Sequence, residues 1–199
     1  KPVRSLKIKL KDGNIFNATQ FKILIPETRG NLHEIFGTTL LRANNFITPE
    51  TFQIKTSVNG VESEMLFQEH QRKELIERNG RREAPIIEGD EKFFFNKPEL
   101  KPLLLSKLVN QKWFTRGESS LKISLRAFAE MQNSYIYNHY SDSGGYSGIV
   151  NKNRNLSYQE YFFIMTALNA DHGLLMNNRR HFYDMVRMRV EPIYYDGNF

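Results

Sequence analysis

The chain has 199 residues, of which 40% are apolar, 25% charged and 13% aromatic. That composition supports a substantial core and excludes a disordered chain, and the absence of cysteine excludes a disulfide scaffold, a thiol nucleophile and any Cys-ligated metal. The net charge is +6, yet acids and bases are interleaved along the chain with no basic tail, which argues against a nucleic-acid binder. The greasiest stretch, Tyr161 to Leu168, is far too short for a membrane span.

The first residues, Ser5 to Leu10, alternate Leu6, Ile8 and Leu10 with Lys7 and Lys9, the pattern of a half-buried strand. Asp12-Gly13 reads as a turn leading to a second strand over Phe21 to Ile25. Asn31 with Glu34 three residues later predicts a capped helix start, with Ile35, Leu40 and Leu41 on its apolar side. Thr51 to Val58 reads as a strand that turns at Asn59-Gly60 and returns through Met65 to Glu69. Gln71 to Gly80 is charged and helical, and Asn79-Gly80 stops it.

In the second half, Asn96 before Pro98 and Glu99 predicts a helix running to about Val109. A long amphipathic helix is expected over Glu118 to Tyr140, its inner face formed by Leu121, Leu125, Phe128, Gln132, Tyr135 and His139. A polar loop should follow to Arg154. Ser157 and Glu160 then read as a capping box for a helix that is apolar all round and hence buried. Two strand-like pieces, His181 to Asp184 and Val190 to Tyr195, close the chain as a hairpin. The expected class is α+β and bilobal: a β-rich part over about 1–95 and a helical part with the hairpin over about 96–199.

Several motifs fail. His33-Glu34 lacks the second His of a zinc-protease helix, because Gly37 stands there. Gly145-Tyr146-Ser147-Gly148 lacks the closing Gly of a nucleophile elbow, and no phosphate-binding Gly loop occurs. The end of the chain is more informative. Asp171, His172 and Gly173 follow the greasiest helix, and the hairpin should bring Asn177 beside Asp196. An Asn oxygen and an Asp carboxylate, with Asp171 near the same mouth, are hard donors suited to Mg²⁺ on phosphates. A plain turn and strand end fit the spacing equally well. Arg179, Arg180, Arg187 and Arg189 form the one local basic excess, read as a solvated face or a polyanion site.

The run Asp171-His172-Gly173-Leu174-Leu175-Met176-Asn177-Asn178-Arg179-Arg180-His181-Phe182-Tyr183, followed by Glu191-Pro192-Ile193-Tyr194-Tyr195-Asp196-Gly197, resembles the C-terminal motifs of CotH-type proteins. These are atypical, protein-kinase-like enzymes first associated with bacterial spore coats. Lys7-Ile8-Lys9-Leu10, Leu40-Leu41-Arg42 through Thr48-Pro49, Val58-Asn59-Gly60 and Leu66-Phe67-Gln68-Glu69 occur in the family's order.

The resemblance implies a bilobal kinase-like fold and an ATP- and Mg²⁺- (or Mn²⁺-) dependent phosphotransferase acting on Ser or Thr hydroxyls of a protein. Asp171 would be the catalytic-loop Asp, with His172 as an alternative residue facing substrate, because His172 is the one five residues before Asn177. Asn177 and Asp196 would hold the metal. Lys7 or Lys9 would contact phosphate, oriented by Glu34 or Glu69. The resemblance also implies a cell-surface, spore-coat or extracellular setting, and the start at Lys1 and the end just after Asp196 suggest a fragment. Ser63 and Met65 stand where related sequences carry Gly and Tyr, which motivates a second reading as a non-catalytic module that binds a protein partner.

Overall fold

The computed structural model describes residues 4–90, 105–140 and 156–197. Four strands, β1 (Leu6–Lys9), β2 (Gln20–Leu24), β3 (Thr51–Val58) and β4 (Val61–Glu69), form an antiparallel sheet in the order β1-β2-β4-β3. The β3–β4 hairpin turns at Asn59 (φ 53°) and Gly60 (φ 79°), the paired positive φ values that make Asn-Gly a two-residue hairpin turn. One face of this sheet is aromatic: Phe21, Met65 and Phe67 are buried, and the Phe52 ring stacks on Phe67 at 4.9 Å. The opposite face carries the cross-strand row Lys7, Lys22, Gln68 and Thr51.

A 3-10 turn, η1 (Pro26–Arg29), and helix α1 (Leu32–Ala43) connect β2 to β3. Beyond β4, the short helix α2 (Lys73–Arg78) leads into a second antiparallel sheet. This sheet contains β5 (Ile86–Gly89), β6 (Ser106–Leu108), β7 (Arg180–Asp184) and β8 (Arg189–Ile193) in the order β6-β5-β7-β8. The remaining helices are α3 (Gln111–Phe114), α4 (Glu118–Tyr140) and α5 (Leu156–Ala167), with a second 3-10 turn, η2 (Asp171–Leu174), after α5. Ala127, Met131 and Tyr135 of α4 pack with Ile87, Tyr183 and Val190 of the second sheet, whereas Leu75, Ile76 and Trp113 pack with Ile86, Phe182 and Ile193. The two sheets are tied where the segment after α1 meets β8: Ile47 bridges Ile193, and the Tyr194 amide donates to the Ile47 carbonyl at 2.9 Å. No helix among the described residues is long and apolar enough to cross a membrane.

Several expectations need correcting. Asn31 precedes α1 but makes no side-chain cap, and Glu34 turns into the interior. The buried stripe of α1 is Glu34, Gly37, Thr38 and Leu41, while Leu32 and Phe36 are exposed. The expected helix ending near Val109 falls partly outside the described residues, and its last turn is instead strand β6, where Lys107 pairs with Glu88 of β5 at 2.9 Å. Helix α4 spans the expected residues, but its inner face is Ser124, Ala127, Met131 and Tyr135, rotated from the expected one so that Leu121 and Leu125 stay exposed. Small residues at 124 and 127 let the helix approach the sheet closely. Ser157 lies within α5 rather than before it, and Phe163 is 74% exposed, so that helix covers the core with one side only. The 141–155 loop lies outside the described residues.

His181 on β7 is fully buried, with Nε2 2.8 Å from the Tyr158 hydroxyl, and burial pushes its pKa down to about 3 from the usual 6.5. The unfolded chain therefore binds a proton at this position before the native one does. The stability His181 contributes is complete above about pH 6.5 and is lost as pH falls toward 3. His70, also pushed down to about 3, acts in the same sense, whereas Glu69, raised to about 7, favours the native state at low pH. Replacing His181 by Gln isolates its share. Urea titrations should show that moving from pH 7 to pH 5 destabilises wild type by about 2 kcal/mol more than His181→Gln. Equal pH dependence in the two chains would refute the assignment.

Candidate functional site

The residues after β8 run beneath the row of side chains on the first sheet and end at η2, and the polar groups of the molecule converge there. Glu34 has no solvent exposure. Its Oε1 accepts the Gln68 side-chain amide at 2.6 Å and its Oε2 accepts the Tyr194 hydroxyl at 2.7 Å. The Tyr194 oxygen in turn accepts the Gly197 backbone N–H at 3.2 Å. One chain of hydrogen bonds thus links β4, α1 and the segment after β8. Burial raises the Glu34 pKa, and the bond from Tyr194, the Arg29 charge, the bond from Gln68 and the Lys22 charge oppose that rise.

Beside this chain, the Tyr195 ring lies against two cations: Lys22 Nζ is 4.9 Å and the Arg180 guanidinium carbon 4.5 Å from its centroid. Arg180 is also held by Glu88 at 3.0 Å. A cavity of only about 10 Å³ lies here, lined by Lys22, Gln68, Tyr194 and Tyr195 among others. That is room for about one water.

Asp196 has a left-handed backbone (φ 49°), a conformation that Asp and Asn tolerate better than other L residues. Its Oδ1 pairs with Arg29 of η1, and its Oδ2 is 3.9 Å from His172 Nε2. Gly173 makes this approach possible. A Cβ there would stand 2.7 Å from the Tyr195 carbonyl oxygen and 2.7 Å from Met165 Cε. Asp171 opens η2 and is exposed. Asn177 lies in the turn three residues before β7, and Asp196 lies three residues after β8, both beyond the last paired residues Arg180 and Ile193. The Asn177 amide donates to Asn178 Oδ1 at 3.3 Å, and Asn178 is the one that holds the η2 turn, through the His172 carbonyl at 3.0 Å.

The structure thus brings Asp196 and His172 together, leaves Asn177 bonded to Asn178, and places other candidates elsewhere. Lys7 and Lys9 are exposed on the edge strand β1. Glu69 orients neither lysine: its side chain is 1% exposed and its Oε2 accepts Arg78 at 2.9 Å. The basic excess near the C-terminus is not an open polyanion surface. Arg179 and Arg180 are buried, Arg179 Nε donates to the Leu174 carbonyl at 2.8 Å, and Arg187 and Arg189 pair with Asp184 and Glu191.

Lys22, Arg29, Tyr194 and Tyr195 were not among the sequence candidates. A lone charge inside Phe21-Lys22-Ile23-Leu24 was the available signal for Lys22, and two tyrosines directly before Asp196-Gly197 were the signal for the others. No family model matches the chain, and no curated protein matches it.

The metal question can be put to the donors themselves. Among the described residues there is no cluster of three or more His, Cys, Asp or Glu side chains. Magnesium bound with phosphates needs only one or two protein carboxylates, so the oxygen donors of Asp196 and Asn177 fit it chemically. Arg29 presently neutralises Asp196, and a metal would have to displace it.

Removing the Tyr194 hydroxyl tests the hydrogen-bond chain. Tyr194→Phe leaves one Glu34 oxygen and the Gly197 N–H without their partner, and chemical denaturation should show a loss of roughly 1–3 kcal/mol. A loss below about 0.5 kcal/mol would mean that the chain does not hold the two sheets together.

Proposed function

We propose that this chain is an atypical, CotH-type protein kinase domain, an ATP- and Mg²⁺-dependent phosphotransferase acting on Ser or Thr hydroxyls of a protein. The observation that carries the reading is the meeting of three parts around Tyr194 and Tyr195: a strand lysine, the glutamate of the next helix, and an acid at the end of the last hairpin. In protein kinases a strand lysine paired with a helix glutamate contacts the nucleotide phosphates, and an Asp following a hairpin holds the metal. Here Lys22 lies on β2 and Glu34 on α1, the next helix along the chain, and the Lys22 charge acts on the Glu34 carboxyl. Asp196 follows β8 directly. A bilobal reading has the first sheet with α1 on one side of this meeting point and α5, η2 and the second sheet on the other.

In this reading Lys22 replaces Lys7 and Lys9 as the phosphate contact, and Glu34 rather than Glu69 orients it. Asp196 and Asn177 would hold Mg²⁺, which supplies charge neutralisation on the phosphates when bound. Asp171, exposed at the start of η2, orients the acceptor hydroxyl and takes its proton, with His172 beside it. Phosphoryl transfer asks the protein mainly for positioning and electrostatic stabilisation, which these groups provide without a covalent intermediate. Opening the small cavity between Lys22 and Tyr195 is the conformational cost of admitting a nucleotide.

A second reading, a non-catalytic kinase-like surface or coat module that binds a protein partner, is favoured by one observation. Arg29 occupies the Asp196 carboxylate while Lys22 and Arg180 are both directed at Tyr195.

Calorimetric titration with ATP, with and without Mg²⁺ or Mn²⁺, separates the two. Metal-dependent binding is expected in wild type and should be lost in Asp196→Asn, which keeps the left-handed backbone while removing the charge. Asp171→Asn should bind nucleotide and fail to transfer phosphate, and Arg29→Gln should bind Mn²⁺ several-fold more tightly. Nucleotide binding that survives Asp196→Asn would overturn the kinase reading, and no binding by well-folded wild type would favour the partner-binding module.

A further inference from the structure

At the opposite end of β2 from Arg29, the first sheet and α3 enclose a groove of about 870 Å³, within the range of ligand-binding clefts. Six cations line it: Lys9, Lys11, Arg72, Lys73, Lys112 and Arg116. The acids there number three, Asp12, Glu74 and Glu83. Glu83 is already paired with Arg116 at 2.8 Å, and Glu74 accepts the Thr19 hydroxyl at 2.9 Å. Arg72 is fixed by the Gln20 side-chain oxygen at 2.9 Å, a neutral partner that leaves its charge uncompensated. Among the described residues, Lys9, Lys11 and Lys112 have no ion-pair partner, and all three are exposed. Surface lysines are ordinarily scattered. Here they converge on a concave wall, where a low-dielectric floor of Leu10, Val109 and Trp113 concentrates their field.

We infer that this groove docks an acidic segment of a partner protein, with its carboxylates on Lys9, Lys11, Lys112 and Arg72 and an apolar side chain on the half-buried Leu10 and Val109. The same features disfavour a nucleic acid. Single strands are held by exposed aromatic platforms, and Trp113 is only 7% exposed. A duplex needs an unbroken basic face, whereas Asp12, Glu74 and Glu83 interrupt this one. The inference is independent of the phosphotransfer reading, because docking here uses none of the groups around Asp196.

The test is fluorescence anisotropy on the full chain with a labelled peptide, Glu-Glu-Leu-Glu-Glu-Leu-Glu. Saturable binding is expected in wild type. Lys9→Glu combined with Lys11→Glu and Lys112→Glu should weaken it roughly tenfold or more while thermal unfolding stays unchanged, because these side chains hold no partner. Should that triple variant fold poorly, the double variant Lys11→Glu with Lys112→Glu should still show a loss of several-fold. Binding within about twofold of wild type in a folded variant overturns the proposal. So does equal affinity for the peptide with Gln in place of Glu, and so does displacement of the acidic peptide by poly(U) at lower concentration than by unlabelled peptide.

Discussion

Glu34 is a carboxyl group without water. Taking such a group out of solvent costs several kcal/mol unless hydrogen bonds replace its hydration, and a half-replaced shell is worse than an apolar core. Gln68 from β4 and Tyr194 from the segment after β8 supply the replacement, one donor for each oxygen. The position of α1 against the first sheet and the path of the chain beyond β8 are therefore mutually dependent. Gly197 extends the dependence by donating to the same tyrosine oxygen, and its own Cβ would collide with that hydroxyl at 2.7 Å.

Around this centre the charges are arranged in opposition. Lys22 and Arg180 both lie against the Tyr195 ring, and Arg29 holds Asp196. A phosphate entering from solvent would offer Lys22 a better partner than a ring face, and a divalent cation would compete with Arg29 for the carboxylate. Under the proposed reading such a ligand would exchange these contacts rather than create new ones, so its affinity would be set by the difference between two sets of interactions.

Local chemistry was legible in the sequence and long-range chemistry was not. Asn59-Gly60 dictates its hairpin because Asn and Gly accept the paired positive φ values of the turn at least cost, and the C-terminal hairpin followed from alternation and spacing. Glu34 was misread as a helix cap because its real partners lie 34 and 160 residues away. The α4 inner face was misassigned because hydrophobicity favours leucines, whereas close packing against the second sheet favours Ser124 and Ala127. At the candidate site, Asp196 and His172 could be named from the motif they sit in. Lys22 could not be preferred over Lys7 and Lys9, because the three lysines share one face of the sheet and only the Tyr195 ring, which lies against Lys22, distinguishes it.

The separation of 160 residues between Glu34 and Tyr194 also has a consequence for how the protein is made. A chain leaving the ribosome presents the first sheet and α1 well before Tyr194 exists, at synthesis rates of roughly 5–20 residues per second. During that interval Gln68 is the only one of the two donors available to Glu34, and one carboxyl oxygen waits for its partner. Contacts of such high sequence separation are costly in loop-closure entropy and form late. Completing this hydrogen-bond chain thus waits for the segment after β8, and the first sheet with α1 is the species most in need of protection until then.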